Sequence, residues 1–470
     1  MAQTMWMRLL PIVACLLTLH TAFAQPFSKL DAAWRSFEQD AQLRYALAGM
    51  CVLDASSGNV LWQRNAYLPF APASTQKVLT SIAAFEALGQ SFRYSTRLGY
   101  TGQIRNRILH GNLIVEATGD PTLASTNYAT TRDTAVLARI LAALRQAGID
   151  SINGNLVCTA PGMDLNPMPD GWTWGDMGNY YGAGHWALNW QDNAWNAYFT
   201  TPFTPGSAVA LKRNAPASIP LDVLVNDVVS GKKGTGDGSV IYASPLDNKA
   251  LIQGKLEPGE NSFRVGGAIP QADLYALRMI RAHLQSNRIS ISGQLITPLM
   301  DRAENMATPA NMSAISKITS PALDSLVYWF MRKSINLYGE ALLKTIGLTK
   351  KQTGSTAAGL EWVDSFYLAN GIGKDALHLT DGSGLSPANR VVPAALAKAL
   401  VYAKSRPWYP AFYESFPLYN NMKLKSGTIS RTKCFAGYVK NYVVVIMVNN
   451  YNGNPGALVS KMYGVLNSVD

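Results

Sequence analysis

Three serines and two lysines at separated points of the chain have the spacing of a nucleophile and its proton handlers. They lie in Ser74-Thr-Gln-Lys77, Ser334-Ile-Asn336 and Lys425-Ser-Gly427-Thr428. A serine hydroxyl is a poor nucleophile at neutral pH, so a base must take its proton as it attacks. Lys77 serves if its ammonium is destabilised by burial or by a neighbouring cation. Lys425 is either that cation or the holder of a substrate carboxylate, with Ser426 and Thr428 adding hydroxyl donors. Ser334 is suited to relaying a proton to a leaving amine, and Asn336 to binding a substrate amide. Backbone N–H groups at Ser74 and Thr428 are the expected donors to an oxyanion, usually the largest electrostatic contribution to such a reaction.

Each motif alone is weak. S-x-x-K recurs at Ser230/Lys233 and Ser430/Lys433, and S-x-N recurs at Ser57, Ser125 and Ser151, whereas K-[ST]-G occurs once. Context selects Ser74. It follows Pro72 and precedes an apolar helical run from Val78 to Phe85, which puts it near a helix start. Ser74 and Lys77 then lie three apart on one helix face, within reach of each other. Ser230 to Lys233 sits in a Gly/Lys-rich loop, and Ser430 directly follows the K-S-G strand.

The elements that must carry these residues come from both ends of the chain. Alternation through Met50 to Leu53, a Ser56-Ser-Gly-Asn59 turn and Val60 to Trp62 predict a hairpin. Lys423–Ile429, Phe435–Val439 and Tyr442–Asn449 read as antiparallel strands, so one sheet is expected from the two ends. Helical patterning covers Leu323 to Ile346 and Pro393 to Ala403. The 260 residues from Ser74 to Ser334 (334 − 74 = 260) exceed what one helical lobe needs, so an insertion is expected. Within it, Arg139–Gln146 with Ile152–Leu156 resembles Arg278–Gln285 with Ile291–Leu295 at an offset of 139, which suggests two related α/β units. Trp172, Trp174, Trp186, Trp190 and Trp195 fall among glycines in 24 residues, either as a ligand wall or as an aromatic mini-core.

Composition narrows the class. Arg8, the apolar stretch Leu9–Leu19 and Ala22-Phe23-Ala24 read as an export leader over residues 1–24. Ile12-Val-Ala-Cys15 is a looser match to a lipidation box. The remaining chain has 41 − 30 − 1 = +10 formal charge, which favours anionic surfaces such as cell-wall polymers. Its basic residues are dispersed and carry no nucleic-acid motif. Cys51, Cys158 and Cys434 allow one disulfide and one free thiol, but make no disulfide framework and no zinc spacing, and at least two read as buried apolar side chains. Five histidines lie in no H-E-x-x-H and there is no G-x-S-x-G elbow, so the sequence offers no metal site and calls for no cofactor.

With Ala73-Ser-Thr-Gln-Lys77, Thr118-Gly-Asp-Pro-Thr122, Trp172-Thr-Trp-Gly-Asp-Met177, Ser334-Ile-Asn-Leu-Tyr-Gly-Glu340, Asp381-Gly-Ser-Gly-Leu-Ser386 and Lys425-Ser-Gly-Thr428 in order, the chain resembles the D-alanyl-D-alanine carboxypeptidase/endopeptidase family, the class C low-molecular-mass penicillin-binding proteins. The resemblance implies an α/β (α+β) penicillin-recognising serine transpeptidase/β-lactamase-like fold. It implies a leader at 1–24, a catalytic domain in two parts (25–95 and 305–470) and inserted lobes at 96–304. It implies removal of terminal D-alanine from peptidoglycan stem peptides and cleavage of D,D cross-links in the periplasm, by a protein that is soluble or loosely held at the membrane or cell wall. β-Lactams would be covalent inhibitors and no nucleic acid would bind. Ser74 would be acylated and Lys77 would be its base. Ser334, Asn336 and Lys425 would support them, with Ser426, Gly427 and Thr428 at the substrate and Asp176 on a substrate ammonium. Ser426 stands where threonine is commoner and keeps the hydroxyl. Asp381 is read as part of a tight turn rather than as a reacting group. The rival readings are a β-lactamase-like hydrolase and a non-catalytic cell-wall-binding protein that retains the fold.

Overall fold

The computed structural model describes residues 27–304 and 311–469, so the expected leader at 1–24, with Cys15, lies outside it. Val443-Val-Val-Ile-Met-Val448 is a continuous β-favouring apolar run, and every one of its residues is buried. It forms the strand Tyr442–Asn449 inside a six-stranded antiparallel sheet. The order is Val60–Arg64, Leu47–Asp54, Tyr442–Asn449, Thr432–Val439, Met422–Ile429 and Leu418–Tyr419. Leu47–Asp54 and Tyr442–Asn449 pair along their whole length, Leu47 opposite Asn449 and Asp54 opposite Tyr442. The sheet therefore joins the two ends, as the sequence suggests.

Helix Pro393–Lys404 packs on those two strands, and helix Lys77–Leu88 packs against it and against Leu323–Arg332 and Asn336–Lys351. Ten of the twelve residues of Lys77–Leu88 are buried, the mark of a helix enclosed on all sides. Phe85 stacks on Trp408 at 4.9 Å between ring centroids and meets Phe412 edge-on. Truncating such a buried ring costs about 3–5 kcal/mol, so the helix that begins beside Ser74 is firmly anchored.

Between Leu88 and Leu323 the described residues form four further sheets around a second core. Ser290–Ile291 pairs in parallel with Ser151–Asn153, and Leu295–Ile296 with Leu156–Thr159. Ser290 faces Ser151 and Leu295 faces Leu156. Side-chain bonds repeat the 139-residue offset, from Ser292 Oγ to Asn153 Oδ1 and from Gln294 N to Asn155 Oδ1. Helices Asp133–Gln146 and Ala272–Ser286 also pack together. The two similar segments thus lie side by side in matching register.

Trp186, Trp190 and Trp195 are buried in that second core, and Trp172 packs with Met168 and Leu385. Only Trp174 of the five is exposed, at 53 %. The aromatic cluster is mainly a core. Cys51, Cys158 and Cys434 are all buried free thiols, so the disulfide that three cysteines allow does not form. Among the described residues, 27–46 and 451–469 make a separate small unit. In it Ser28–Glu38 packs on Pro455–Asn467, and Lys461 Nζ donates to Asp40 Oδ1 and Gln42 Oε1, both at 2.8 Å.

Candidate active site

Ser74 sits in a 3₁₀ turn, Ala73–Gln76, that runs directly into helix Lys77–Leu88. The turn is forced into shape from outside. Ala73 has a left-handed φ of 47°, which a residue with a Cβ adopts only when its surroundings compel it. Gly384 presses on it so closely that a Cβ there would lie 2.0 Å from Ala73 O.

Lys77 is fully buried and its Nζ donates to three oxygens: Ser74 Oγ at 2.9 Å, Asn336 Oδ1 at 2.6 Å and Ser383 O at 2.7 Å. Burial pushes its pKa down to about 7, against the opposing pull of the Asp381 and Glu340 carboxylates. Loss of solvent, rather than the neighbouring Lys425, is the main cause. Repulsion between the two ammoniums appears at Lys425, whose pKa burial, Lys77 and Lys433 together hold well below the usual lysine range. Glu340, also buried, is pushed up to about 8 by burial and by Asp381.

Lys425 Nζ donates to Ser334 Oγ at 3.0 Å and to Ser426 O at 2.9 Å. Two residues along the same strand, Gly427 meets the nucleophile turn. A Cβ there would lie 2.7 Å from Pro72 O and 3.0 Å from Ser74 N, so the strand can come this close only as glycine. Ser426 alternates to the other side of the strand, where its hydroxyl donates to Tyr419 Oη at 3.1 Å. Thr428 Oγ1 accepts from Lys433 Nζ at 2.7 Å. Ser74, Ser334, Asn336, Thr428 and Asp176 line one cleft of about 1370 Å³.

The opposite wall comes from the residues between the first two motifs. Asn336 Nδ2 donates to Tyr181 O at 2.8 Å, so this side chain joins Lys77 to the wall. Asp176 accepts from Thr173 Oγ1 at 2.7 Å, and its charge and that of Asp237 help burial push the Tyr181 hydroxyl up to about 12. Behind Ser74, Asp381 accepts from Gln76, Trp172 and Asn389 side chains and from the N–H groups of Gly384 and Ser386. It thereby holds the turn whose Ser383 carbonyl meets Lys77.

A match to the D-Ala-D-Ala carboxypeptidase 3 (S13) family spans residues 30–441. The chain belongs to this family. It is 28 % identical over 413 residues to the D-alanyl-D-alanine carboxypeptidase DacB of Haemophilus influenzae, covering 83 % of this chain and 82 % of that one. It is 26 % identical over 456 residues to a D-alanyl-D-alanine carboxypeptidase of an Actinomadura species, covering 89 % and 80 %. The crystal structure of penicillin binding protein 4 (dacB) from Haemophilus influenzae superposes with a TM-score of 0.77 at 25 % identity, covering 92 % of this chain and 97 % of that one. The fold is the mixed α/β penicillin-recognising one, and the chain is a serine-type carboxypeptidase.

In this D-Ala-D-Ala carboxypeptidase the structure brings Ser74, Lys77, Ser334, Asn336 and Lys425 together and turns Ser426 toward Tyr419. His185 is no base. It is buried, its Nε2 lies 2.7 Å from Gly119 O, and burial pushes its pKa down to about 3. Sequence reasoning missed Tyr181, Glu340 and Lys433. Tyr181 acts through its backbone carbonyl, which no residue type announces. Lys433 is visible in the sequence as the tail of a stray S-x-x-K, yet only the register Thr428 opposite Lys433 brings it to the site.

Proposed function

We propose that the enzyme acylates Ser74 with the penultimate D-alanine of peptidoglycan stem peptides, releases the terminal D-alanine or cleaves a D,D cross-link, and then hydrolyses the ester. The observation that carries this reading is the 2.9 Å contact from Lys77 Nζ to Ser74 Oγ in a lysine whose pKa burial pushes to about 7. A neutral Lys77 keeps two N–H bonds, to Asn336 Oδ1 and Ser383 O, and its lone pair then faces the Ser74 hydroxyl. A base with a pKa near the working pH is the efficient choice.

Ser74 Oγ attacks the carbonyl carbon while Lys77 takes its proton, and backbone N–H groups at Ser74 and Thr428 receive the oxyanion. Ser334, hydrogen-bonded by Lys425, hands a proton to the departing amine as the C–N bond breaks. The Lys77 ammonium returns its proton to Ser334 and is neutral again. It then takes a proton from the water that attacks the ester, and gives it to Ser74 Oγ as the ester bond breaks and the shortened peptide leaves. Lys425 and Thr428 hold the substrate carboxylate, with Ser426 behind them on the strand. Asp176 holds an ammonium on the stem peptide. In a β-lactam the departing nitrogen stays tethered to the acyl group, so the ester persists and the enzyme is inhibited covalently.

A cleft of about 1370 Å³ with walls from two cores supports a branched peptide substrate over a single dipeptide. Export to the periplasm fits the leader read at 1–24, and no helix among the described residues is long and apolar enough to cross a membrane. The test is incubation of the protein and of Ser74→Ala with a cross-linked disaccharide-peptide dimer, read by mass spectrometry. Loss of alanine or conversion of dimer to monomer, absent in the variant, is expected. Equal product from the variant would overturn the assignment.

A further inference from the structure

One of the stray S-x-N sequences, Ser125-Thr-Asn127, has no part in the steps above, yet Asn127 lines the same cleft. A chain of hydrogen bonds runs through it. Lys333 Nζ donates to Asn127 Oδ1 at 2.8 Å, and Asn127 donates to Ser125 Oγ from its backbone N–H at 3.2 Å and from Nδ2 at 3.1 Å. Ser125 Oγ donates to Asp192 Oδ2 at 3.1 Å, and Asp192 Oδ1 accepts from Tyr338 Oη at 3.3 Å. Lys333 immediately precedes Ser334, and Tyr338 follows Asn336 by two residues. The chain of bonds therefore begins at the residue before Ser334, passes through Asp192 on the opposite wall, and ends on the helix that Asn336 starts.

The two turns joined by this link are both held in unfavourable backbone. Ser334 has a φ of 56°, and Gln191, Asp192 and Asn193 have φ values of 55°, 54° and 51° in succession. Left-handed conformations of residues other than glycine persist where the surroundings over-determine them, and they gather at working sites. Asp192 is half-buried at the edge of the cleft: burial raises its pKa, while Ser125, Tyr338 and the Lys333 ammonium favour its charge.

We propose that Asp192 is a positioning residue for Ser334. Through Ser125, Asn127 and Lys333 on one side and Tyr338 on the other, it fixes the Ser334-Ile-Asn336 turn against the inserted wall. It thereby keeps the Ser334 hydroxyl aimed at the departing nitrogen. This rests on the proton-relay role given to Ser334 above.

The experiment measures penicillin acylation of Ser74 in the full chain as a function of penicillin concentration, which separates the limiting rate from the apparent affinity. The variants are Asp192→Ala, Asp192→Asn, Ser125→Ala, the Asp192→Ala/Ser125→Ala double and Ser334→Ala. Asp192→Ala is expected to lower the limiting rate about tenfold and leave the affinity within about twofold. Asp192→Asn, which still offers Tyr338 an acceptor and Ser125 a polar partner, restores the rate to within about threefold. The double variant loses no more than Asp192→Ala alone, because both changes cut one circuit. A folded Asp192→Ala with the wild-type limiting rate overturns the proposal. So does a loss confined to affinity, a failure of rescue by asparagine, or additive losses in the double variant. Ser334→Ala separates the two readings. If it acylates normally, the relay and the positioning role both fall, whereas if it is impaired and Asp192→Ala is not, only the positioning role falls. Should Asp192→Ala not fold, Ser125→Ala decides by the same split between rate and affinity.

Discussion

On one side of the cleft, Ser74, Lys77 and Lys425 stand on the start of an enclosed helix and on a strand inside a six-stranded sheet. On the other, Asp176, Tyr181 and Asp192 stand on turns of three or four residues. The first side is held by packing: Lys77 is buried by the helix it begins, and Gly427 touches the backbone beside Ser74. The second is tied to the Ser334–Asn336 segment by side-chain hydrogen bonds, from Asn336 to the Tyr181 carbonyl and from Tyr338 to Asp192. Asp176 and Tyr181 are only half-buried on their turns and can change with little disturbance of a core, whereas Lys77 and Lys425 are enclosed. The proposed acyl transfer thus sits on the packed side, and the peptide contact proposed for Asp176 on the more open, adaptable one.

The sharpest break of that comparison is Ser74→Ala, which removes the only atom to which an acyl group is expected to attach. Turnover should fall by at least ~10³-fold, and intact-protein mass spectrometry should show no penicillin adduct. An adduct on the variant would move the chemistry elsewhere.

Next in size is Lys77→Arg, which keeps the cation and removes the base, with an expected loss of ~10²–10⁴-fold in acylation rate. In the wild type the lysine pKa is lowered to about 7, so its neutral, active form grows as pH rises through that value. The acylation rate should climb up to about pH 7 and level off above it. A rate that is flat or falling across that range would show that Lys77 is not the base.

Gly427→Ala forces a Cβ to within 2.7 Å of Pro72 O. Separating strand and nucleophile turn should cost roughly 10²-fold in turnover and about 1–3 kcal/mol in stability, measured by kinetics and by denaturant melts. Normal turnover in this variant would mean that the packed side is softer than its contacts suggest.

The smallest effect belongs to the adaptable wall. Asp176→Asn should raise KM about tenfold for a stem peptide with a free side-chain ammonium and leave penicillin acylation unchanged. Equal KM values for the two proteins would take Asp176 out of substrate recognition.

These two sides also differ in how far they could be read in advance. Ser74, Lys77, Ser334, Asn336 and Lys425 were legible because acyl transfer needs particular side chains at fixed spacing. The shared sheet was legible because Tyr442–Asn449 is too apolar to lie anywhere but inside. The 139-residue offset was legible as similarity, and the parallel register of Ser151 with Ser290 gives it a structural meaning. Tyr181 was hidden because it works through a carbonyl that any residue owns. Asp192 was hidden because it lies 67 residues from Ser125 and 146 from Tyr338, and no local pattern spans such gaps. Ser426 was given a place at the substrate because its motif puts it there, while strand alternation turns its hydroxyl to Tyr419.

The pairing of Leu47–Asp54 with Tyr442–Asn449 has a consequence in time. A ribosome makes the first of these strands long before the second, and so large a sequence separation makes folding slow. Until the late strands arrive, Lys425 has no sheet from which to reach Ser334, and Gly427 cannot close on the turn at Ser74. The site is therefore incomplete until both ends of the sheet have been made and paired.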